Sequence, residues 1–366
     1  MTDSYAPLRA LFTDAGYGFV APPILYDASV FVEPLGEDLR RRLFLTLDQD
    51  GTEMALRPDF TIPVALHHLA SGAAKRKAGY AYLGPVFRQR VEEPDEFLQA
   101  GGESLGRTDR DQADADILRL AFDAAAALGI ARPIVRTGDS GLFSAVLDAL
   151  SLSPPWQRRL ARAFGDPARL RALIVRAANG SALAEADDAA LAAASPAKVR
   201  RRVEEMFAAA GLGVTGRTPR EVAERYAEKA TLAAGIGDRP AKVLDRFLAI
   251  GGPASKTVVA LRDLAADERL AIAPAIDRFE QRLAAFAAHG IALDKLTFAA
   301  DFGRRLDYYT GFVFEMHTTR KAPRPLIGGG RYDHLVSLLA RLRHQTAVTV
   351  PAVGFSIWLD RAGGAA

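Results

Sequence analysis

The chain has 366 residues, 49% of them apolar, and carries 47 Lys and Arg against 44 Asp and Glu. An apolar share of this size can bury a substantial core, and the length predicts two or three structural units. The nearly balanced charge does not indicate a nucleic-acid-binding coat. The lack of cysteine excludes a disulfide framework, a thiolate nucleophile and a cysteine-based metal site.

Targeting segments and metal-ligand patterns are also missing from the sequence. The first residues show no basic flank followed by an apolar run, and no uncharged apolar stretch reaches about 18 residues. His67 and His68 are adjacent, so on a helix they would point about 100 degrees apart and could not form a metal pair. We therefore expect a soluble cytoplasmic protein without a membrane partner, a metal or a cofactor.

The first third of the chain has the texture of a sheet. Residues 17–106 contain short runs such as GFVAPPILY, RRLFLTLD and GYAYLGPVFRQR, which predict strands separated by turns. The strand that ends at Arg88 can pair with 97–105 through the intervening turn. Helical texture follows from about 109 to 290, although PIVRTGD at 133–139 predicts one more strand.

Strand texture returns after about residue 295. The segment KLTFAADFGRRLDYYTGFVFEMH predicts strand, LIGGGRYDHLVSLLA predicts a turn into a helix, and AVGFSIWLDR predicts a last strand. Sheet, helices and sheet again predict an α+β core that a helical insertion interrupts. We place the core at 1–150 and 286–366 and the insertion at 151–285.

Polar residues recur on the predicted strands. Alternation along EFLQAGGESLG puts Gln99, Gly101 and Glu103 on one face, where the gap at Gly101 would admit a small ligand. In DFGRRLDYYTGFVFE, read as a strand over 301–315, Arg304 shares a face with Tyr308, and Tyr309 lies opposite. These residues could be structural, with Arg304 paired to an acid nearby. Buried ionic groups cost more than apolar ones, however, so their convergence favours a ligand site.

Five segments resemble, in order, the catalytic domain of histidyl-tRNA synthetases: MALRPDFT, YLGPVFRQR with FLQAGGESLG, RRLDYYTGFVFE, GGGRYDHL and PAVGFSIWLDR. The resemblance implies a dimeric class II synthetase-like fold, a mainly antiparallel sheet flanked by helices, with the helical stretch in place of the family's variable insertion. It also implies a pocket for histidine. The matching residues are Asp59 and Thr61 for the amino group, Gln99 for the amino acid, Glu103 and Tyr309 for the imidazole, Arg304 for the carboxylate, and the adjacent Tyr308.

The sequence departs from the synthetases at the sites for ATP and tRNA. It reads Arg88, Gln89, Arg90 where they carry Arg-x-Glu, and the normally basic loop that follows reads VEEPDE, which would repel tRNA phosphates. Arg305 replaces a glycine, and the chain stops five residues after Arg361, so we expect no anticodon-binding domain.

A sequence that keeps the residues for histidine but lacks those for tRNA charging resembles the regulatory subunits of ATP phosphoribosyltransferase. This resemblance implies a non-catalytic protein required for activity of the short catalytic subunit in the first step of histidine biosynthesis. It implies L-histidine as the feedback effector and a homodimer core within a hetero-oligomer.

Two other functions stay open on the sequence. Arg88 and Arg361 resemble the pair that grips ATP phosphates, which would suit a histidyl-adenylate-forming or truncated synthetase-like enzyme; we favour relic arginines held in ion pairs. A nucleic-acid-binding module would use the arginines of WQRRLARAFGDPARLRALIVR and AKVRRRVEEMF. Their helical spacing beside apolar residues favours instead the solvated face of an amphipathic helix.

Overall fold

The computed structural model describes residues 5–35, 37–72, 76–179, 196–209, 218–304, 308–346 and 348–365. Strands form two sheets within these residues. The strands are β1 Gly18–Phe19, β2 Leu25–Asp27, β3 Leu45–Leu47, β4 Glu53–Leu56, β5 Ala78–Phe87, β6 Glu96–Leu105, β7 Ile134–Asp139, β8 Gly251–Pro253, β9 Leu296–Ala299, β10 Phe312–His317, β11 Ile327–Arg331 and β12 Ala352–Trp358.

The described helices flank these strands in chain order. They are α1 Ala6–Asp14, α2 Ser29–Val32, α3 Glu37–Arg40, α4 Thr61–Ala70, α5 Arg110–Ala127, α6 Ser140–Ala149, α7 Pro154–Ala163, α8 Pro167–Asn179, α9 Pro196–Ala209, α10 Pro219–Ala234, α11 Asp238–Leu248, α12 Ala254–Glu268, α13 Ala273–Ala288 and α14 Leu335–Leu342. None of them is long and apolar enough to cross a membrane.

The main sheet has nine strands in the order β1-β5-β6-β12-β11-β10-β7-β9-β8, and β2-β4-β3 form a second, small sheet. In the main sheet the central strands pair antiparallel, whereas β1 with β5 and β7 with β9 pair parallel. The hairpin of β5 and β6 confirms the predicted pairing of the strand before Arg88 with 97–105. The α+β class is confirmed, with a mixed sheet flanked by helices.

Each face of the main sheet is covered by its own apolar layer. Alternation along β6 sends Ala100 into the layer that contains α1, α5 and α13, and sends Phe97 and Leu105 into the layer that contains α4 and α14. Gln99 and Glu103 have the parity of Phe97, so they point toward the second layer. Both are buried, at 1% exposure.

The insertion is helical in the described residues from α7 to α11, and α7 packs on α8 and α10. Residues 251–253, which the sequence places in the insertion, form β8 and pair with β9 at the edge of the main sheet. Helix α13 packs against α5 of the core. The assignment of 151–285 to a separate domain therefore stays a prediction.

The prediction of one strand over 301–315 is wrong. Strand β10 begins only at Phe312, and Arg304, Tyr308 and Tyr309 precede it in irregular structure. The backbone at Arg304 passes close to Gly165, where an added Cβ would meet the carbonyl of Arg304 at 3.0 Å. The face assignment of Arg305 lies outside the described residues.

The GGG of LIGGGRYD is strand rather than the predicted turn, because β11 spans Ile327–Arg331. Close packing explains why glycines suit a strand here. A Cβ at Gly329 would collide with the carbonyl oxygen of Gly354, and one at Gly328 would collide with the guanidinium of Arg304. The backbone can approach its neighbours only where side chains are absent.

A buried ion network joins the end of β11 to α5. Arg331, 4% exposed, donates from Nε and Nη2 to Oδ1 of Asp114 at 2.9 and 2.6 Å. Its Nη1 donates to Asp333 at 2.8 Å. Asp114 is also 3.0 Å from Nε of Arg282, which pairs with Asp139 on β7. Buried charges are tolerated when they are paired in this way.

Replacing Arg331 by methionine should lower the free energy of unfolding by about 3–5 kcal/mol, because it removes the buried guanidinium that Asp114 and Asp333 share. Arg110→Met is the matched control, since the Arg110 side chain is 54% exposed and only 3.5 Å from Asp333. Its loss should stay below about 1 kcal/mol. Urea unfolding of both variants measures the difference, and equal losses would contradict the role of the network.

Candidate functional site

The carboxyl group of Glu103 is buried in the middle of the main sheet. Three side chains donate hydrogen bonds to it: Thr61 at 2.9 Å, Tyr82 at 3.2 Å, and Tyr332. Thr61 begins α4, Tyr82 lies on β5, and Tyr332 follows β11. Three separate elements therefore meet at one carboxyl group.

Glycines make the room for this carboxyl group and its donors. Gly354 on β12 is the strand partner of Glu103, and a Cβ there would collide with the Glu103 carboxyl. A Cβ at Gly101 would collide with the hydroxyl of Tyr82. The expected gap for a ligand at Gly101 is thus filled by Tyr82, whose hydroxyl also bonds Ser356 at 2.8 Å.

Burial raises the pKa of Glu103 to about 8, although the hydrogen bonds from Tyr332, Thr61 and Tyr82 work in the opposite direction. Desolvation disfavours the charged form of a carboxyl group, whereas donors favour it. Glu103 can therefore gain or lose its proton close to neutral pH, and the carboxyl group donates a hydrogen bond when protonated and only accepts when ionised.

Asp59 and Gln99 shape the start of α4. Asp59 is 5% exposed, and burial raises its pKa while the charge of Arg88 opposes that rise. Gln99 accepts a hydrogen bond from the backbone N–H of Phe60 at 3.1 Å. Asp59, Thr61, Gln99 and Glu103 are therefore brought together between the start of α4 and β6, and their binding of an amino acid stays a prediction.

Arg304 and the two tyrosines form the second half of the site. Arg304 Nη1 donates to Glu315 at 2.9 Å, and its guanidinium lies 5.9 Å from the ring centre of Tyr309. Tyr308 is 6% exposed, and its ring centre lies 5.0 Å from that of Tyr309 and 5.8 Å from that of Tyr332. Burial raises the pKa of both Tyr308 and Tyr309, so both carry their protons at neutral pH.

Two cavities meet at Arg304. The smaller, of about 150 Å³, is lined by Arg304, Tyr309, Ser140 and Phe143, among others. The larger, of about 540 Å³, is lined by Arg304 with Arg88 and Arg361. Glu103 is not among the described residues lining these two cavities. Its carboxyl group is enclosed by its donors, so a ligand that reaches it must replace at least one of them.

Arg88 and Arg361, which resemble the pair that grips ATP phosphates and which we read as relics, differ in environment. Burial lowers the pKa of Arg88 to about 10, with the charge of Asp59 opposing that fall. Arg361 donates to both carboxylate oxygens of Glu93, at 3.0 and 2.9 Å, and its guanidinium lies 4.8 Å from the ring centre of Trp358. Arg361 therefore already holds an anion from its own chain.

Tyr82 and Tyr332 were not singled out from the sequence. Tyr332 is in GGGRYDHL and Tyr82 is the first residue of YLGPVFRQR, so both lie in segments that carry the family resemblance. Their contact with Glu103 spans 229 residues for Tyr332 and 21 for Tyr82. Only the strand order of the sheet shows that these hydroxyls converge. In the described residues no group of three potential metal ligands lies together.

Glu103→Gln should change how stability depends on pH. The folded pKa of about 8 lies above the value of an unfolded Glu, so the folded state binds more protons between the two values. Stability from this group is therefore present at about pH 5 and lost as the pH rises toward about 8. Gln cannot ionise, so the difference in Tm, wild type minus Glu103→Gln, should decrease as the pH rises from about 5 to about 8.

Thermal unfolding of the wild type and the variant across this pH range measures the difference. Glu92→Gln is the control, since the Glu92 side chain is 86% exposed. A difference in Tm between wild type and Glu103→Gln that stays constant with pH would contradict the raised pKa of Glu103.

Comparisons of sequence agree on the family. The family model described as histidyl-tRNA synthetase matches residues 2–224 and 220–362. A protein of Chelativorans sp. named ATP phosphoribosyltransferase regulatory subunit is 41% identical, over 98% of this chain and 94% of the relative. A protein of Mesorhizobium japonicum with the same name is 42% identical, over 97% and 95%.

Solved structures agree on the fold. The ATP phosphoribosyltransferase regulatory subunit/histidyl-tRNA synthetase of Bacillus halodurans matches with a TM-score of 0.63 and 22% identity, over 98% of this chain and 77% of that chain. The histidyl-tRNA synthetase of Nostoc sp. PCC 7120 matches with a TM-score of 0.63 and 17% identity, over 98% and 69%. At these identities the likeness shows a shared class II synthetase-like fold.

Proposed function

We propose a function for this chain from the premise that it belongs to the histidyl-tRNA synthetase family and, within that family, to the ATP phosphoribosyltransferase regulatory subunits. The regulatory role follows from that membership. Beyond it, the chain is required for activity of the short catalytic subunit, and it senses L-histidine for feedback inhibition of the first step of histidine biosynthesis.

The geometry around Glu103 is the observation that supports histidine sensing most directly. An imidazole ring has two nitrogens, and in its neutral form one donates and the other accepts a hydrogen bond. The Glu103 carboxyl group accepts from or donates to such a ring, according to its proton. The hydroxyls of Tyr82 and Tyr332, which contact Glu103 from two other elements, can likewise donate or accept a hydrogen bond.

The remaining groups of an amino acid find partners in the same region. Asp59 is a buried carboxylate suited to an α-ammonium group, and Thr61 begins α4 beside it. Arg304 is suited to an α-carboxylate, because a guanidinium binds such a group through two N–H donors. Glu315 accepts a hydrogen bond from Nη1 of Arg304. Among the residues that the structure describes, none accepts a hydrogen bond from the buried Nε of Arg304.

The enclosure of Glu103 supports a regulatory rather than a passive pocket. Because three donors already surround the carboxyl group, histidine binding exchanges a protein donor for the imidazole. Thr61, Tyr82 and Tyr332 belong to different elements, so that exchange moves one element relative to the others. Histidine can inhibit only by binding one arrangement better than another.

The proposed assembly is a homodimer core that binds the catalytic subunit. The small β2-β4-β3 sheet exposes apolar side chains on β3, with Leu45 at 51% and Leu47 at 67%, and Ile24, which directly precedes β2, is 42% exposed. Clustered apolar exposure on a sheet favours a protein contact. A second copy of the chain is the occupant that the family resemblance implies.

A histidyl-adenylate-forming enzyme is the second candidate. The observation in its favour is the arginine-lined cavity of about 540 Å³ next to the proposed histidine pocket. The pairing of Arg361 with Glu93 and the presence of Arg90 where the synthetases have an acid weigh against it. Histidine-dependent exchange of pyrophosphate into ATP by the isolated chain would favour the enzyme.

The deciding experiment measures phosphoribosyl-ATP formation by the short catalytic subunit of the same organism. Activity should depend on adding this chain, and L-histidine should suppress it. A rate that is the same with and without the chain would contradict the requirement for it, and a rate that histidine leaves unchanged would contradict sensing.

Arg304→Gln should weaken inhibition by histidine at least about tenfold, because a hydrogen bond to a charged group contributes about 1.5–3 kcal/mol. Arg136→Gln is the matched control, since Arg136 lines the same large cavity and pairs with Asp301 at 3.2 Å. The concentration of histidine that halves the rate should stay near the wild-type value in the control. Equal sensitivity of both variants would remove Arg304 from the pocket.

A further inference from the structure

The large cavity beside the proposed histidine pocket is lined by an excess of arginines. Seven arginines and two acids, Glu93 and Glu315, are among the described residues around its volume of about 540 Å³. The arginines are Arg42, Arg88, Arg90, Arg136, Arg304, Arg324 and Arg361. Guanidinium groups that converge in this way are suited to phosphate groups, which they bind through paired N–H donors.

Glu93 lies within reach of three of these arginines. Arg361 donates to both of its carboxylate oxygens at 3.0 and 2.9 Å, Nη1 of Arg324 lies at 2.7 Å, and Nη1 of Arg90 lies at 3.3 Å. The side chain of Glu93 is 17% exposed, so these pairs are largely shielded from water. One carboxylate therefore occupies the place that three guanidinium groups would offer to a bound anion.

The arginines around Glu93 are themselves fixed by other contacts. Arg90 stacks on Phe97 at 3.7 Å from the ring centre and donates to Asp360 at 2.7 Å. Arg361 also donates to the carbonyl of Pro325 at 2.7 Å. Because both guanidinium groups are held in place, they cannot turn away from Glu93 to meet a second anion elsewhere.

We propose that Glu93 is a built-in anion that occupies this arginine cluster and excludes phosphate-bearing ligands such as pyrophosphate and nucleoside triphosphates. A phosphate group that entered would have to break the pairs between Glu93 and its arginines and then lie next to a like charge. Glu315 holds Arg304 in the same cavity at 2.9 Å. The cavity thus keeps its basic lining and loses its capacity for phosphate.

The ionisation of Glu93 agrees with this role. Burial alone would raise its pKa, but the hydrogen bonds from Arg361 and Arg324 outweigh burial and lower the pKa below its usual range. The carboxylate is therefore charged across the neutral range. Replacing it by glutamine removes the charge and keeps the shape of the side chain.

Isothermal titration of the whole chain with pyrophosphate, and separately with ATP, tests the proposal. Glu93→Gln should bind pyrophosphate at least about tenfold more tightly than the wild type, and added salt should weaken the gained binding. Glu92→Gln is the matched control, because Glu92 is the preceding residue and its own side chain is 86% exposed and 4.0 Å from Arg324. It should bind like the wild type.

Glu93→Gln removes the carboxylate that Arg361, Arg324 and Arg90 share, so the variant is expected to melt earlier than the wild type. Thermal unfolding with and without pyrophosphate then gives a second readout, in which the Tm of Glu93→Gln should rise with the anion more than that of the wild type. The double variant Glu93→Gln/Arg361→Gln should lose the gained affinity. Glu93→Ala provides a second test of the same gain.

The proposal is overturned if the wild type binds pyrophosphate as tightly as Glu93→Gln, or if neither substitution of Glu93 increases binding. These titrations contain neither histidine nor a catalytic subunit. Their outcome is therefore independent of the proposed function.

Discussion

The burial of the Glu103 carboxyl group is the constraint on which the site depends. A buried carboxyl group is tolerated only when donors surround it, and removing one donor costs more than the pair contributes. The sheet meets this demand with Thr61 from α4, Tyr82 from β5 and Tyr332 after β11. Gly354 on the neighbouring strand leaves the space that the carboxyl group fills. Position, register and side-chain identity therefore depend on one another in the middle of the sheet.

Sequence patterns predicted the parts of this arrangement that follow from local rules. Alternation along β6 predicts that Gln99 and Glu103 share a face, and the turn between Arg88 and Glu96 predicts the hairpin. The pattern of strands, helices and strands predicted the α+β class. The ordered segments that resemble the synthetases added the class II synthetase-like fold, which neither composition nor periodicity could specify. Each of these predictions depends on residues close in sequence or on a whole-chain likeness.

The features that sequence reasoning missed depend on contacts between distant residues. The segment before Phe312 alternates like a strand, yet its backbone passes close to Gly138 of β7 at Phe302 and close to Gly165 at Arg304. Gly328 and Gly329 read as a turn, but in β11 they leave room for the guanidinium of Arg304 and for the backbone of β12, respectively. The acidic loop VEEPDE predicted repulsion of tRNA. The sequence did not show that Glu93 of this loop pairs with Arg361, which lies 268 residues away. Local sequence patterns do not predict contacts between residues so far apart.

A direct titration of the isolated chain with L-histidine tests the central claim, that the site around Glu103 and Arg304 is a histidine pocket. The account predicts one histidine bound per chain, and at least about tenfold weaker binding of histidinol, because histidinol has an imidazole but no carboxylate for Arg304. Binding of both ligands with equal affinity would contradict the role of Arg304. The absence of histidine binding would contradict the pocket itself.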